Sequence, residues 1–147
     1  MKKVQIITDG ACIGNPGRGG WACILRYEDH VLERYGFDRY STNNRMELEA
    51  AIQGLSSLKE DCEVEVVTDS EYVRNGITSW IKAWKQNGWM TSAKKPVVNK
   101  DLWEALDEEI GRHRVTWYWT KGHASHVDNN RADELASQAA REQCSSG

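Results

Sequence analysis

Residues 9–22 read DGACIGNPGRGGWA and follow the strand-like run VQII at residues 4–7. The stretch contains Gly17-x-Gly19-x-x-Ala22, which formally fits a dinucleotide-binding fingerprint. That fingerprint needs a strand before it and a helix opening at its glycines. Here the next residues are GWACILRY, rich in β-formers and without a helix cap. No Gly-Lys-Ser/Thr follows either, so a phosphate-binding P-loop is excluded. The glycines instead predict a hairpin loop, with Pro16 fixing φ in the turn. The fold therefore starts as an antiparallel meander rather than a strand–helix–strand unit.

Working outward, residues 3–9, 20–27 and 31–37 read as three strands joined by short connections. TNNRMELEAAIQGLSSL then switches to helical period, with Leu48, Ala51, Ile52, Leu55 and Leu58 on one stripe and Thr42 or Asn43 as N-cap. CEVEVVTDS returns to a strand. SEYVRNGITSWIKAWKQNG predicts one helix ending near Gly88. NKDLWEALDEEIG predicts another, with Asn99 in the N-cap position. RVTWYWT is a strand and NNRADELASQAAREQ a closing helix. The order is β-β-β-α-β-α-α-β-α. The last two strands follow helical crossovers, so each should run parallel to a neighbour.

A chain of 147 residues suits one domain around a single core, and 39% hydrophobic with 28% charged residues is ordinary for a globular protein. No apolar run approaches the roughly 20 residues of a membrane span. The start, MKKVQII, lacks the apolar region and cleavage site of a signal peptide. Cys12, Cys23, Cys62 and Cys144 form no C-x-x-C pair, so they predict reduced thiols in a cytoplasmic protein rather than a zinc site. Net charge is −3, yet Tyr72–Lys100 holds no Asp or Glu and six basic residues: Arg74, Lys82, Lys85, Lys94, Lys95 and Lys100. One basic patch on an acidic chain is the footprint of a polyanionic partner.

The carboxylates point the same way. Asp9 and Asp69 each end a strand, in TDG and TDS. Alone, either reads as a turn former. On parallel neighbouring strands, both emerge at one sheet edge, where α/β proteins build their sites. Glu47 falls on or beside the core-facing stripe of its helix, where a carboxylate needs a partner or a metal. The helix dipole at the first turn is the bland account of Glu47, and capping that of Asp133 near the start of the closing helix. Four converging carboxylates would repel unless divalent cations neutralise them, and an all-oxygen set favours Mg²⁺ or Mn²⁺. Two such ions about 4 Å apart suit in-line phosphoryl displacement.

TDGACIGNPGRGGWA, TNNRMELEAA, TDSEYV and KGHASHVDNNRADELA resemble, in order and spacing, the four motif blocks of bacterial type 1 ribonuclease H. The resemblance spans about residues 4–140. It implies an α/β ribonuclease H-like fold: a five-stranded mixed sheet in the order 3-2-1-4-5, flanked by helices. It implies one catalytic domain over residues 1–143 with a short tail at 144–147. It further implies a Mg²⁺-dependent endonuclease that cuts the RNA strand of RNA–DNA hybrids, leaving 5′-phosphate and 3′-hydroxyl ends. Asp9, Glu47, Asp69 and Asp133 would hold two Mg²⁺ ions, with Mn²⁺ as a substitute. His123 would assist proton transfer or product departure. The spacing of His123 and His126 hints at a metal pair, but no third ligand stands near.

The same resemblance assigns Asn15, Asn43 and Asn44 to the minor groove of the hybrid, and Thr42 and Asn99 to a DNA phosphate. Trp80, Trp84, Lys85, Lys94 and Lys95 match the family's basic protrusion. There Trp80 is expected to be partly packed and Trp84 nearer the DNA. Trp103, Trp117 and Trp119 are left to core or sheet faces. The chain departs from the family pattern at three places. Glu71, a substrate-contact position, replaces a usual Gln. Arg18 replaces a usual Pro and would add a phosphate contact. Asn130 replaces a common Glu. The expected protein is a cytoplasmic monomer with no membrane contact and no obligate protein partner. Two alternatives are a DNA-acting transposase, integrase or resolvase of the same fold superfamily, and an inactive hybrid-binding module. The NNRME block and Asn15 speak against the first, and retention of all four acids against the second.

Overall fold

The computed structural model describes residues 1–120 and 127–146. Its elements are β1 (Lys2–Ile13), β2 (Gly17–Tyr27), β3 (His30–Ser41), α1 (Asn43–Ser56), β4 (Cys62–Thr68), α2 (Glu71–Asn75), a π-helical turn (Gly76–Trp80), α3 (Ile81–Gln86), α4 (Lys100–Arg112), β5 (Arg114–Trp119) and α5 (Val127–Glu142). The five strands form one sheet in the order β3-β2-β1-β4-β5. β1, β2 and β3 are antiparallel neighbours, whereas β4 runs parallel to both β1 and β5. Fold class, element order and strand directions follow the reading of the sequence.

The opening hairpin is tighter than its glycines suggest. Pairing continues to Ile13↔Arg18, so Gly17, Gly19 and Gly20 are strand residues and the turn is confined to residues 14–16. Only Gly14 needs glycine's left-handed freedom, at φ +77. Elsewhere the missing side chains admit helices. A Cβ on Gly20 would lie 2.1 Å from the Ala136 carbonyl oxygen of α5, and one on Gly10 would lie 2.5 Å from the Glu47 nitrogen of α1. The glycine-rich stretch thus seats a helix against each face of the sheet.

Strand alternation divides the core accordingly. Val4, Ile6, Cys23, Leu25, Val64 and Val66 pack with Leu48, Ala51, Leu55, Trp103 and Leu106 from α1 and α4. Ile7, Ile24 and Val67 face Ala132 of α5. The helix expected over residues 70–88 is instead α2 and α3 on either side of the π-helical turn. The turn starts at Gly76, where a Cβ would stand 2.0 Å from the fully buried Trp103 ring. After α5, the expected tail docks on the sheet edge: the Ser146 nitrogen donates to the Tyr35 carbonyl (2.9 Å), and the Tyr35 nitrogen donates to Ser146 Oγ (3.0 Å). All four cysteines are unpaired, and no helix among the described residues is long and apolar enough to cross a membrane.

Candidate active site

The parallel register of β1 and β4 pairs Ile7 with Val67. Two residues further along each strand direction stand Asp9 and Asp69, on the same face as that pair by alternation. Asp69 is held from behind. Its carbonyl oxygen accepts from Trp119 Nε1 at 3.2 Å, and the Ser70 nitrogen donates to Thr68 Oγ1 at 3.1 Å. Glu47 arrives from α1, on the other side of the sheet, through the space that Gly10 leaves open. Carboxylate oxygens of Asp9, Glu47 and Asp69 then all lie within 4.8 Å of one another.

The cluster is electrostatically unfavourable by itself. Asp9 and Glu47 are 5% and 6% exposed. Burial first, then the charges of Asp69 and Asp133, push the Asp9 carboxyl up to about 8 from an ordinary 3.8. Burial and the Asp9 charge likewise raise Glu47 well above the carboxylate range. The Gly10 nitrogen donates to Asp9 Oδ1 at 2.9 Å, but Asp9 Oδ2 and Glu47 Oε1 are buried without a hydrogen-bond donor among the described residues. Orphaned buried oxygens on a hard, all-carboxylate set fit a divalent cation with oxygen preference.

Two positions correct the bland readings of these acids. α1 begins at Asn43, so Glu47 stands beyond the first turn, which holds no acidic residue. α5 begins at Val127, so its first-turn acid is Asp128 and Asp133 caps nothing. Asp133 is exposed and lies outside the tight trio, close enough to raise the Asp9 carboxyl. His123 and His126 lie outside the described residues.

The expected substrate contacts fall on several elements. Asn15 Oδ1 in the opening turn accepts from the Asn43 nitrogen at 3.0 Å, which joins two of the three expected groove residues; Asn44 is exposed beside them. Thr42 is the N-cap of α1, its Oγ1 accepting from the Arg45 nitrogen at 3.2 Å. Asn99 occupies the N-cap position of α4 but makes no side-chain cap; it adopts φ 60, ψ 28 and turns its amide to Arg45 and Tyr72 instead. Glu71 is exposed at the start of α2 and outside the acidic trio. Trp80 and Trp84 pack at 5.7 Å between ring centroids, and Trp80 also meets Tyr72, the partial packing expected of it. Trp80 is 37% exposed, whereas Trp84 is half-buried against Trp89 and Trp103. Lys94 and Lys95 are exposed, while Lys85 pairs with Asp107 at 3.3 Å. Arg18 Nη1 donates to the Arg141 carbonyl at the end of α5, at 3.4 Å. Sequence reasoning passed over Tyr72 and Arg45, whose partners lie 27 and 54 residues away at Asn99.

The RNase H family model matches residues 1–141. A ribonuclease H of Solibacter usitatus is 67% identical over 146 residues, covering 99% of this chain and 100% of its own length. The crystal structure of LC9-RNase H1, a type 1 RNase H with the type 2 active-site motif, superposes with a TM-score of 0.86 at 30% identity, covering 99% of this chain and 75% of that one. LC11-RNase H1, solved in complex with an RNA/DNA hybrid, gives a TM-score of 0.69 at 25% identity over 95% of this chain and 97% of that one.

Proposed function

Because the chain belongs to the RNase H family, we propose that Asp9, Glu47, Asp69 and Asp133 form the metal-binding centre with which it cleaves the RNA strand of RNA–DNA hybrids. The observation that carries this assignment is the meeting of three carboxylates from separate elements within 4.8 Å, two of them with orphaned buried oxygens. The oxygen-only donor set favours Mg²⁺, with Mn²⁺ as substitute and two ions in the substrate complex. When bound, the cations supply Lewis-acid stabilisation of charge at the scissile phosphate and lower the pKa of attacking water, giving 5′-phosphate and 3′-hydroxyl ends.

The chain's own residues do the rest by holding position. Asp9 lies within β1, paired with Ala22, and Asp69 directly follows β4, two residues beyond the Ile7–Val67 pair that joins the two strands. Glu47 is fixed by the contact of α1 with Gly10. Asp133 is exposed and close enough to Asp9 to raise its carboxyl, and His123 is our candidate for proton transfer. Asn15, Asn43 and Asn44 read the minor groove, Thr42 and Asn99 hold a DNA-strand phosphate, and Glu71 lies near the RNA strand. Trp80, Trp84, Lys85, Lys94 and Lys95 guide the DNA strand past the basic ridge. The enzyme acts as a cytoplasmic monomer, and residues 1–143 form its catalytic domain.

The test is incubation with Mg²⁺ and four substrates: an RNA–DNA hybrid, duplex DNA, duplex RNA and single-stranded RNA. Cleavage confined to the RNA of the hybrid is expected. Cutting or joining of DNA would move the chain to the transposase class, and binding without cleavage would make it a hybrid-binding module.

A further inference from the structure

Four side chains behind the expected phosphate contacts form a hydrogen-bonded series whose polarity is forced. Arg45 Nη1 donates to Asn99 Oδ1 at 3.2 Å. Asn99 Nδ2 donates to the Tyr72 hydroxyl at 3.0 Å, and Trp103 Nε1 donates to the same hydroxyl at 2.9 Å. Arginine and the tryptophan indole can only donate. With a pure donor at each end, the two groups between them have no choice. Asn99 must turn its oxygen to Arg45 and its nitrogen to Tyr72, and the tyrosine oxygen must accept twice. The reverse orientation of the amide would set Nδ2 against a guanidinium, donor against donor. Such a series ends with hydrogens to spare: the second hydrogen of Asn99 Nδ2 and the hydroxyl hydrogen of Tyr72 meet no acceptor among the described residues.

The same arginine fixes Thr42. Its main-chain nitrogen occupies the Thr42 Oγ1 lone pair at 3.2 Å, which leaves that hydroxyl hydrogen free. Arg45 therefore joins the start of α1 to the start of α4, with one hydrogen bond to each residue of the pair. Its own charge is matched by Asp101, at 3.0 and 2.8 Å through a two-pronged contact. The left-handed backbone of Asn99, uncommon outside glycine, is what turns its amide away from the helix it precedes.

We propose that Arg45 is a positioning residue whose guanidinium sets the hydrogen-bond polarity of Asn99, so that the Asn99 amide and the Tyr72 hydroxyl turn their free hydrogens toward a DNA-strand phosphate beside Thr42. This rests on the reading of Thr42 and Asn99 as phosphate contacts. Arg45 acts through neutral groups and does not itself meet the phosphate, which separates it from a simple electrostatic contact.

The experiment compares Asn99→Ala, Arg45→Met and Asp101→Asn for hybrid cleavage with Mg²⁺ and for hybrid binding across a salt series. Asn99→Ala should raise KM about tenfold, the loss of one good hydrogen bond to a charged group. Arg45→Met should raise KM about five- to tenfold with kcat held within twofold and no change in the slope of log Kd against log salt. It should add nothing in the Asn99→Ala background. Asp101→Asn, which keeps the bond from Arg45 to Asn99, should leave KM unchanged. An unaffected KM in Asn99→Ala would remove the phosphate reading and the proposal with it. A normal Asn99→Ala loss with an unaffected Arg45→Met would remove the proposal alone. A salt slope flattened by about 0.9 in Arg45→Met would make Arg45 a direct phosphate contact and overturn the positioning role. Equal losses in Arg45→Met and Asp101→Asn would reduce Arg45 to one half of an ion pair, which also overturns it.

Discussion

The acidic trio and the ridge from Gly76 to Val98, proposed to serve one substrate, are built by opposite designs. The trio is largely buried and placed by main-chain packing: the β1–β4 pairing just before Asp9 and Asp69, a glycine contact for Glu47. It holds charges where they are unstable, as the raised Asp9 and Glu47 carboxyls record. The ridge is largely exposed, its rings meeting at 5.7 and 6.3 Å and its free lysines projecting outward. Chemistry at one phosphorus atom needs ligands placed to fractions of an ångström, and only backbone packing supplies that. Holding a long polyanion needs area and charge, for which flexible side chains suffice.

Removing one acid should produce the largest effect. Asp9→Asn is expected to lower turnover at least about a thousandfold while hybrid binding persists. It should also stabilise the metal-free protein, which tests the cost of the site directly. A carboxyl whose folded pKa is raised contributes stability that is complete below its ordinary value, 3.8 here, and is lost as pH rises through about 8. Metal-free wild type should therefore lose melting temperature between those pH values. Asp9→Asn should lose less, and Mg²⁺ should restore the wild type more than the variant. Thermal melts at several pH values, with and without Mg²⁺, decide it; a variant no more stable than wild type at pH 8 would deny that the trio is strained.

The next effect tests how the trio is held. In Gly10→Ala the new Cβ falls 2.5 Å from the Glu47 nitrogen and 2.6 Å from the Met46 carbonyl carbon, so α1 must move. We expect a stability loss of about 1–3 kcal/mol, the range of overpacked cores, with weaker Mg²⁺ binding as Glu47 is displaced. On the ridge, Gly88 has no atom within 4 Å of its Cβ position but sits at φ +66. Gly88→Ala should cost about 1 kcal/mol through its backbone alone and leave Mg²⁺ binding untouched. Urea unfolding and Mg²⁺ titration of both variants check the contrast, and equal Mg²⁺ affinities would sever Gly10 from the site.

The same contrast explains what the sequence made legible. Asp9 and Asp69 were readable because each follows an apolar run; the strand end held for Asp69 but not for Asp9, since the pairing of β1 with β2 carries that strand on to Ile13. Gly17 and Gly19 misled because glycine reads as loop, whereas both are strand residues; the space at Gly19 takes Met46 of α1, and that at Gly20 takes α5. Asn99 read as a cap because its position is one; only the left-handed backbone and a partner 54 residues away divert its side chain. Helical spacing put Trp80 and Trp84 on one face but could not show that Trp84 is the more enclosed of the two, because Trp89 and Trp103 come from elsewhere in the chain. The π-helical turn beside them starts where Trp103, far along the chain, leaves no room for a side chain at residue 76. What remained illegible is long-range contact, which no window along the chain contains.

The smallest effect belongs to the ridge and should differ in kind. Lys94 and Lys95 lie in a turn closed by the Thr91 nitrogen donating to the Lys95 carbonyl at 2.7 Å and the Lys94 nitrogen donating to the Thr91 carbonyl at 2.9 Å. These are main-chain bonds, so removing both side chains should leave the turn intact. Neither lysine forms an ion pair among the described residues, whereas Lys85 is already matched by Asp107 at 3.3 Å. Lys94 and Lys95 thus carry, with exposed Lys82, the ridge's uncommitted charge among the described residues. The double variant Lys94→Ala, Lys95→Ala should weaken hybrid binding about tenfold at low salt and flatten the salt slope by about one to two units, with kcat unchanged at saturation. Lys85→Ala should flatten it less, because its charge is partly spent on Asp107. Equal slopes for all three proteins would mean that the ridge holds the hybrid by its rings. A fall in kcat would mean that its lysines help place the scissile phosphate, and the division between a rigid chemical centre and a compliant binding surface would no longer hold.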